Sequence, residues 1–200
     1  VLAETLADFN NIKIYNEDVM KANLHKIINE DFNGLKTAVC ANLPYYITSP
    51  VIMLLLESCL PIESITVMVQ KEAAQRLCAE VGTRESGAIT VGVNYYGTVR
   101  HLFNVSRASF MPSPNVESAV IRIDIDKKYN LNTEQEKFFF KIVKSGFSQR
   151  RKTLANALSS LMGIEKEKTY YVLKSIDASE SVRIESLTME QLVALAIKIM

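Results

Sequence analysis

The 200-residue chain has no Gly-x-Gly: its seven glycines stand at 34, 82, 87, 92, 97, 146 and 163. It has three cysteines, Cys40, Cys59 and Cys78, none in a Cys-x-x-Cys pair. That odd, unpaired set argues against a disulfide framework and against a zinc site, and reads as reduced, mostly buried thiols of a cytoplasmic protein. His25 and His101 have no partner at metal-ligand spacing, so no metal is expected. No apolar run approaches the roughly 20 residues that span a bilayer, and no secretory signal pattern is visible. No membrane partner is expected.

What is present is a balanced globular composition, 48% hydrophobic and 22% charged, with a net charge of +1. The charge is uneven. Residues 1–125 hold 10 Lys+Arg against 13 Asp+Glu, net −3, and residues 126–200 hold 13 against 9, net +4. An acidic part followed by a basic part suggests two modules, the second facing an anion.

Short apolar strands alternate with helices in the first part. "IKIYNED" (Ile12–Asp18), "KTAVCAN" (Lys36–Asn42) and "SITVMVQ" (Ser64–Gln70) read as strands, and "SPVIMLLLES" as a helix capped by Ser49 with Pro50 in its first turn. "KEAAQRLCAE" (Lys71–Glu80) reads as the next helix. This alternation indicates an α/β fold with a parallel sheet. "TVRHLFNV" and "SAVIRIDI" read as two further strands, and "GAITVGVNYYG" (Gly87–Gly97) is ambiguous between strand and helix. Residues 126–132 read as a linker. Residues 133–200 read as helical, with capping boxes at Thr133–Glu136 and Thr188–Gln191 and a helix beginning at "RRKTLANAL".

The stretch that asks for an explanation is "ANLPYYITSP" (Ala41–Pro50). A turn needs only Asn or Pro; it does not need two adjacent phenols. At the carboxyl edge of a parallel sheet, ligands bind. There the Asn42 amide oxygen can accept a hydrogen bond from an –NH₂ group, and Pro44 stiffens the turn so that a neighbouring carbonyl accepts a second. Tyr45 offers a flat face for a planar ring. Two acceptors and a stacking platform suit the exocyclic amine of a nucleobase. They also stabilise positive charge growing on that nitrogen as it attacks an electrophile.

"NLPYYI" resembles the Asn-Leu-Pro-Tyr motif of the rRNA adenine dimethyltransferase (KsgA/RsmA) family. "QKEAAQRLCAEVGTRESGAITVGVNYYG", "ASFMPSPNVESAVIRI", "GFSQRRKTLANAL" and "VRIESLTMEQLVAL" resemble further family segments, in family order. The resemblance implies a Rossmann-like S-adenosylmethionine (SAM) methyltransferase domain over 1–125, a linker over 126–132 and a small all-α domain over 133–200. It implies a helix at Gly87–Gly97 and a strand order 3-2-1-4-5-7-6. The implied activity is transfer of methyl groups from SAM to the exocyclic amines of two adjacent adenosines near the 3′ end of small-subunit rRNA, two methyls on each.

The same resemblance implies the site residues. Asn42 matches the target-amine acceptor and also lines the SAM site. Leu43 and Pro44 offer backbone carbonyls, Tyr45 stacks on the flipped adenine, and Phe110 closes over the base. Asp18 matches the acid that binds the SAM adenine amine. On their own, Asp18 is also ordinary turn chemistry and Phe110 an ordinary core aromatic. Arg150, Arg151 and Lys152, with Lys141 and Lys144, are either a solvated face or phosphate contacts; the excess of positive charge favours contacts with rRNA and the immature small subunit.

The family opens with a strand, a Gly-rich turn and a second strand ending in an acid. "VLAETLADFNNIKIYNED" aligns with the family segment beyond that second strand. The chain is therefore read as N-terminally truncated, with doubtful SAM affinity and with an exposed sheet edge through which it would self-associate. Two rival functions stay open. One is an antibiotic-resistance dimethyltransferase acting on large-subunit rRNA, whose family typically reads Asn-Ile-Pro-Tyr. The other is a ribosome-assembly factor that needs no catalysis.

Overall fold

The computed structural model describes residues 2–200. Two compact units divide the chain, Val1–Leu35 and Lys36–Met200.

The first unit holds a short helix α1 (Leu2–Thr5) and α2 (Leu24–Phe32). Asn23 caps α2 by accepting from the Lys26 N–H at 3.0 Å, and Asn33 ends it in the left-handed region at φ 47°. The expected strand at Ile12–Asp18 is absent; residues 12–16 form neither helix nor strand. The alternation of Ile12 and Ile14 with Lys13 and Tyr15 is strand-like, but a strand needs a neighbour for its N–H and C=O groups. This segment instead makes side-chain contacts with α2. Lys13 Nζ and the Tyr15 hydroxyl both reach the Asp31 carboxylate, at 2.7 and 2.6 Å.

The second unit is built on a four-stranded sheet: β1 (Thr37–Asn42), β2 (Ile62–Gln70), β3 (Gly97–Val105) and β4 (Ser118–Ile125), in spatial order β1-β2-β4-β3. This is the 4-5-7-6 portion of the implied order. The sheet is mixed rather than parallel: β1 and β2 are parallel, while β4 is antiparallel to both β2 and β3. The reason lies in the connections. Helix α3 (Thr48–Glu57) carries the chain from β1 back to start β2 in the same direction, whereas no α-helix separates β3 from β4. The sheet centre is dry: Ile65, Val67 and Val69 of β2 and Ala119, Ile121 and Ile123 of β4 are all buried.

Helices α3, α4 (Lys71–Leu77) and α5 (Ala88–Tyr96) accompany these strands. Helix α3 starts at Thr48, one residue before the expected Ser49 cap, because a 3-10 turn at Tyr45–Ile47 leads into it. Pro50 does sit in its first turn, where its missing N–H has no helical partner to lose. The ambiguous Gly87–Gly97 stretch is helical over Ala88–Tyr96, as the resemblance implied. Packing outweighs its β-branched propensity: Thr90, Val91, Val93, Tyr95 and Tyr96 are buried. Gly97 then enters β3 so close to the Asp124 carbonyl that a side chain there would collide with backbone.

Residues 133–200 form α6 (Thr133–Ser148), α7 (Leu154–Met162), α8 (Lys166–Lys174) and α9 (Met189–Ile199) around Phe139, Ile142, Leu158, Leu173, Leu192 and Leu195. Thr188 with Gln191 makes the expected reciprocal capping box. The first box is Asn132 with Gln135, one residue earlier than the expected Thr133–Glu136, because Glu136 is taken by Tyr95, Tyr96 and Lys127. Arg150, Arg151 and Lys152 lie in the turn between α6 and α7, not in a helix as expected. Helix α7 is capped at Thr153, whose side chain accepts from the Asn156 N–H, so the basic residues precede its first turn. Residues 126–132 carry no helix or strand, yet Tyr129 stacks on Tyr95 at 6.1 Å and bonds Glu190 at 3.0 Å. The cysteines are not the mostly buried set expected: Cys40 and Cys59 are exposed and Cys78 is half-buried. No helix among the described residues is long and apolar enough to cross a membrane.

Candidate active site

The register of the sheet gathers three connections at one end. Strand β1 ends at Asn42, level with Met68 of β2. Strand β2 ends at Gln70, opposite Ser118, the first residue of β4, and Ser118 also pairs with Val105, the last residue of β3. The turn 43–47, the β2–α4 junction and the loop 106–117 therefore all leave the sheet at the carboxyl end of its parallel pair.

Within the first turn each residue has a distinct task. Asn42 is exposed, and its amide has no hydrogen-bond partner among the described residues. The Leu43 side chain is buried and roots the turn, while its carbonyl, past the end of the strand, makes no backbone hydrogen bond. The Pro44 carbonyl is already used: it accepts from the Ile47 N–H at 3.1 Å and from the Thr48 hydroxyl at 3.4 Å, closing the 3-10 turn. The two phenols part company. Tyr45 is half-buried, and its hydroxyl lies 2.7 Å from Ser118 Oγ. Tyr46 is 85% exposed.

Phe110 is half-buried in the 106–117 loop, beside the fully exposed Met111. That loop is shaped by its own serines. Ser106 Oγ accepts from the Ala108 N–H at 3.3 Å, and the Ser113 hydroxyl donates to the Arg107 carbonyl at 2.9 Å. At the β2–α4 junction the Lys71 N–H donates to the Glu117 carbonyl at 3.0 Å, and Lys71 Nζ reaches Glu117 Oε2 at 2.6 Å. The Lys71 ammonium holds the Glu117 carboxyl below its ordinary value. Beside this pair lies a cleft of about 200 Å³ lined by Gln70, Lys71, Glu72, Gln75, Val116 and Glu117.

Asn42 at the end of β1, and Leu43, Pro44, Tyr45 and Phe110 on the connections that follow β1 and β3, thus all lie at the same sheet end. Asp18 belongs to the first unit, where it forms an Asx turn: Oδ1 accepts from the Met20 N–H at 2.9 Å, and the residue is exposed. Sequence reasoning does not find Ser118 as the partner of Tyr45. Its place in a signature segment is the only local signal, and that signal is equally met by a residue that shapes a loop.

The basic residues form a second surface. Lys141 and Lys144 are exposed on α6, and Arg150, Arg151 and Lys152 are exposed in the turn beyond it. Among the described residues none of these five pairs with a carboxylate. The Arg150 guanidinium donates to the Arg84 carbonyl at 2.8 Å and sits 5.7 Å from the Phe147 ring. A cleft of about 390 Å³ is lined by Phe147 to Lys152. No group of three or more His, Cys, Asp or Glu side chains converges as metal ligands among the described residues.

A mixed sheet of this order, with a polar and aromatic turn at the carboxyl end of its parallel pair, belongs to a Rossmann-like methyltransferase domain. The chain belongs to the ribosomal RNA adenine dimethylase family, whose model matches residues 1–199. It is 45% identical over 197 residues to ribosomal RNA small subunit methyltransferase A of Alkaliphilus oremlandii, covering 98% of this chain and 69% of that protein. It is 42% identical over 200 residues to the protein of the same name from Geobacillus sp. strain WCH70, covering 98% and 69%. Among solved structures, a dimethyladenosine transferase from Plasmodium falciparum superposes with a TM-score of 0.75 at 23% identity, covering 96% of this chain and 74% of that one. The 23S rRNA methyltransferase ErmE superposes at 0.71 and 22%, covering 99% and 76%. At such identities these two structures speak to the fold alone.

Proposed function

We propose that this protein transfers methyl groups from SAM to the exocyclic amines of two adjacent adenosines near the 3′ end of small-subunit rRNA, two methyls on each amine. The observation that carries this reading is the Asn42–Tyr45 turn. A partner-free amide, a backbone carbonyl without a partner and a tethered aromatic ring stand together at the sheet edge. The family membership and the names of the relatives support the choice of adenine and of the small subunit.

In the second unit Asn42, whose amide has no hydrogen-bond partner among the described residues, is free to face SAM as well as the base. In the first unit, taken by itself, Asp18 is exposed with one carboxylate oxygen on its Asx turn, which leaves an acceptor of the kind an adenine amine needs. Bound SAM supplies the electrophilic methyl. The chain's own residues do the rest. Asn42 Oδ1 and the Leu43 carbonyl accept from the two N–H groups of the adenine amine, so its lone pair is turned away from the ring. Both oxygens then stabilise the charge that develops on nitrogen. Because the Pro44 carbonyl is committed to Ile47 and Thr48, Leu43 is the better second acceptor and Pro44 acts by stiffening the turn. Tyr45 stacks on the extruded base, and Phe110 covers it and excludes water. No strong base is required, since the proton leaves after transfer.

Lys141, Lys144, Arg150, Arg151 and Lys152 would hold the phosphates of the rRNA in the immature small subunit, in the cytoplasm. Strand β1 pairs only with β2 among the described strands, and that open edge would support self-association. The test is incubation of the full-length protein with labelled SAM and unmethylated small subunits, then nucleoside analysis. N6,N6-dimethyladenosine at two adjacent positions is expected. Binding without methylation would favour the assembly-factor role, and label in large-subunit rRNA would favour the resistance-enzyme role.

A further inference from the structure

We infer that Ser118 is a positioning residue for methyl transfer: its hydroxyl holds the Tyr45 ring at the orientation in which the target base stacks. The inference rests on the proposed stacking role of Tyr45.

Stacking needs a ring, not a hydroxyl, and phenylalanine would offer the same face. The Tyr45 hydroxyl must therefore be explained by something other than the base. Its contact is Ser118 Oγ at 2.7 Å, across 73 residues of sequence. Tyr46, next along the same 3-10 turn, leaves its ring in solvent. The turn thus separates a tethered phenol from a free one.

Ser118 is a suitable anchor. It is fully buried. Its backbone is in register with Gln70 on one side and Val105 on the other, so it cannot shift without disturbing two ladders. The residue before it is fixed by the Lys71 N–H to Glu117 carbonyl bond and by the Lys71–Glu117 ion pair. The hydroxyl bond therefore ties the mobile end of a side chain on the β1 turn to a rigid point in the sheet. A ring held in place before the base arrives need not be ordered during binding. Small misplacements of a positioned group can cost as much as about 10²-fold in rate.

The test is a double-mutant cycle in the full-length protein, read by single-turnover methylation of small subunits. Tyr45→Phe and Ser118→Ala should each lower the saturating single-turnover rate constant roughly tenfold, within the range such misplacement produces. The half-saturating concentration and RNA affinity should stay near wild type. The double variant should be no slower than either single one, because both remove the same bond. Tyr45→Ala serves as the control for stacking. If it leaves the rate intact, the stacking reading itself is wrong. If it is slow while Tyr45→Phe and Ser118→Ala are normal, the ring matters but its tether does not, and the inference is overturned. Additive losses in the double variant also overturn it. Tyr45→Phe breaks the bond from the half-buried side, so the result stands even where Ser118→Ala fails to fold.

Discussion

The Tyr96 hydroxyl donates to Glu136 Oε1 at 2.7 Å, joining the last residue of α5 to the first turn of α6. The other carboxylate oxygen accepts from Tyr95 at 3.0 Å and from Lys127 Nζ at 2.5 Å. Lys127 also sits 5.4 and 5.8 Å from the two tyrosine rings. One carboxylate thus connects the helix before β3, the segment after β4 and the helical C-terminal part.

Glu136 should matter for stability in a pH-dependent way. Burial raises its pKa, but the bonds from Lys127, Tyr96 and Tyr95 outweigh burial and leave it below the ordinary value of 4.5. Burial and the bond to Glu136 push both tyrosines up. A depressed carboxylate pKa stabilises the fold above the unfolded value, and that contribution is lost as pH falls through the folded one. Replacing Glu136 by Gln should cost about 1–3 kcal/mol at pH 7, the usual cost of disturbing charge-assisted bonds. In thermal melts from pH 7 to pH 3, the gap between wild type and variant should narrow below about pH 4.5, the ordinary value for this carboxyl. A constant gap would show that the charge on Glu136 is not what stabilises this junction.

Gly146 on α6 should not tolerate alanine. A Cβ there would come within 2.9 Å of Ile184 Cβ and closer still to its Cδ1. Ile184 is buried, and its Cβ is fixed to the backbone, so a rotamer change cannot carry it away. Helix propensity favours alanine by about 1 kcal/mol, while overpacking costs about 1–3 kcal/mol. Gly146→Ala should therefore lower the melting temperature, and an unchanged or higher value would mean the 184–186 turn yields freely.

The basic turn makes a separate prediction. Replacing Arg150, Arg151 and Lys152 together by alanine should weaken binding to small subunits. It should also flatten the salt dependence by up to about 0.7–0.9 in logarithmic slope per lost phosphate contact. Binding curves at several salt concentrations measure this. A slope equal to wild type would make the three residues a solvated surface.

Most of the sheet is legible in the sequence because its strands carry their own signals. The apolar run of β2 and the alternation of Ile121 and Ile123 with Arg122 and Asp124 in β4 are strand patterns whatever surrounds them. The Asn42–Tyr45 turn is legible because its chemistry is unusual for a turn. What is not legible depends on distant partners. Ile12–Tyr15 has a strand's pattern but no neighbouring strand to pair with. Helix α2 is a different case: its Asn23 cap and the helical spacing of Leu24, Ile27, Ile28 and Phe32 are local signals, absent from the elements expected above. The Tyr45–Ser118 bond spans 73 residues, and no local pattern announces it. The direction of β4 is equally hidden, since apolar periodicity is the same for parallel and antiparallel pairing.

In the proposed reaction Asn42 accepts from the adenine amine and stabilises its developing charge. The most direct measurement is the single-turnover rate of dimethyladenosine formation by full-length Asn42→Ala on unmethylated small subunits, with RNA affinity measured alongside. The rate should fall at least about 10²-fold, the scale of losing one charge-stabilising group. RNA affinity should stay close to wild type, since phosphate contacts dominate it. Near-normal turnover by Asn42→Ala would mean that Asn42 is not the acceptor that stabilises the amine.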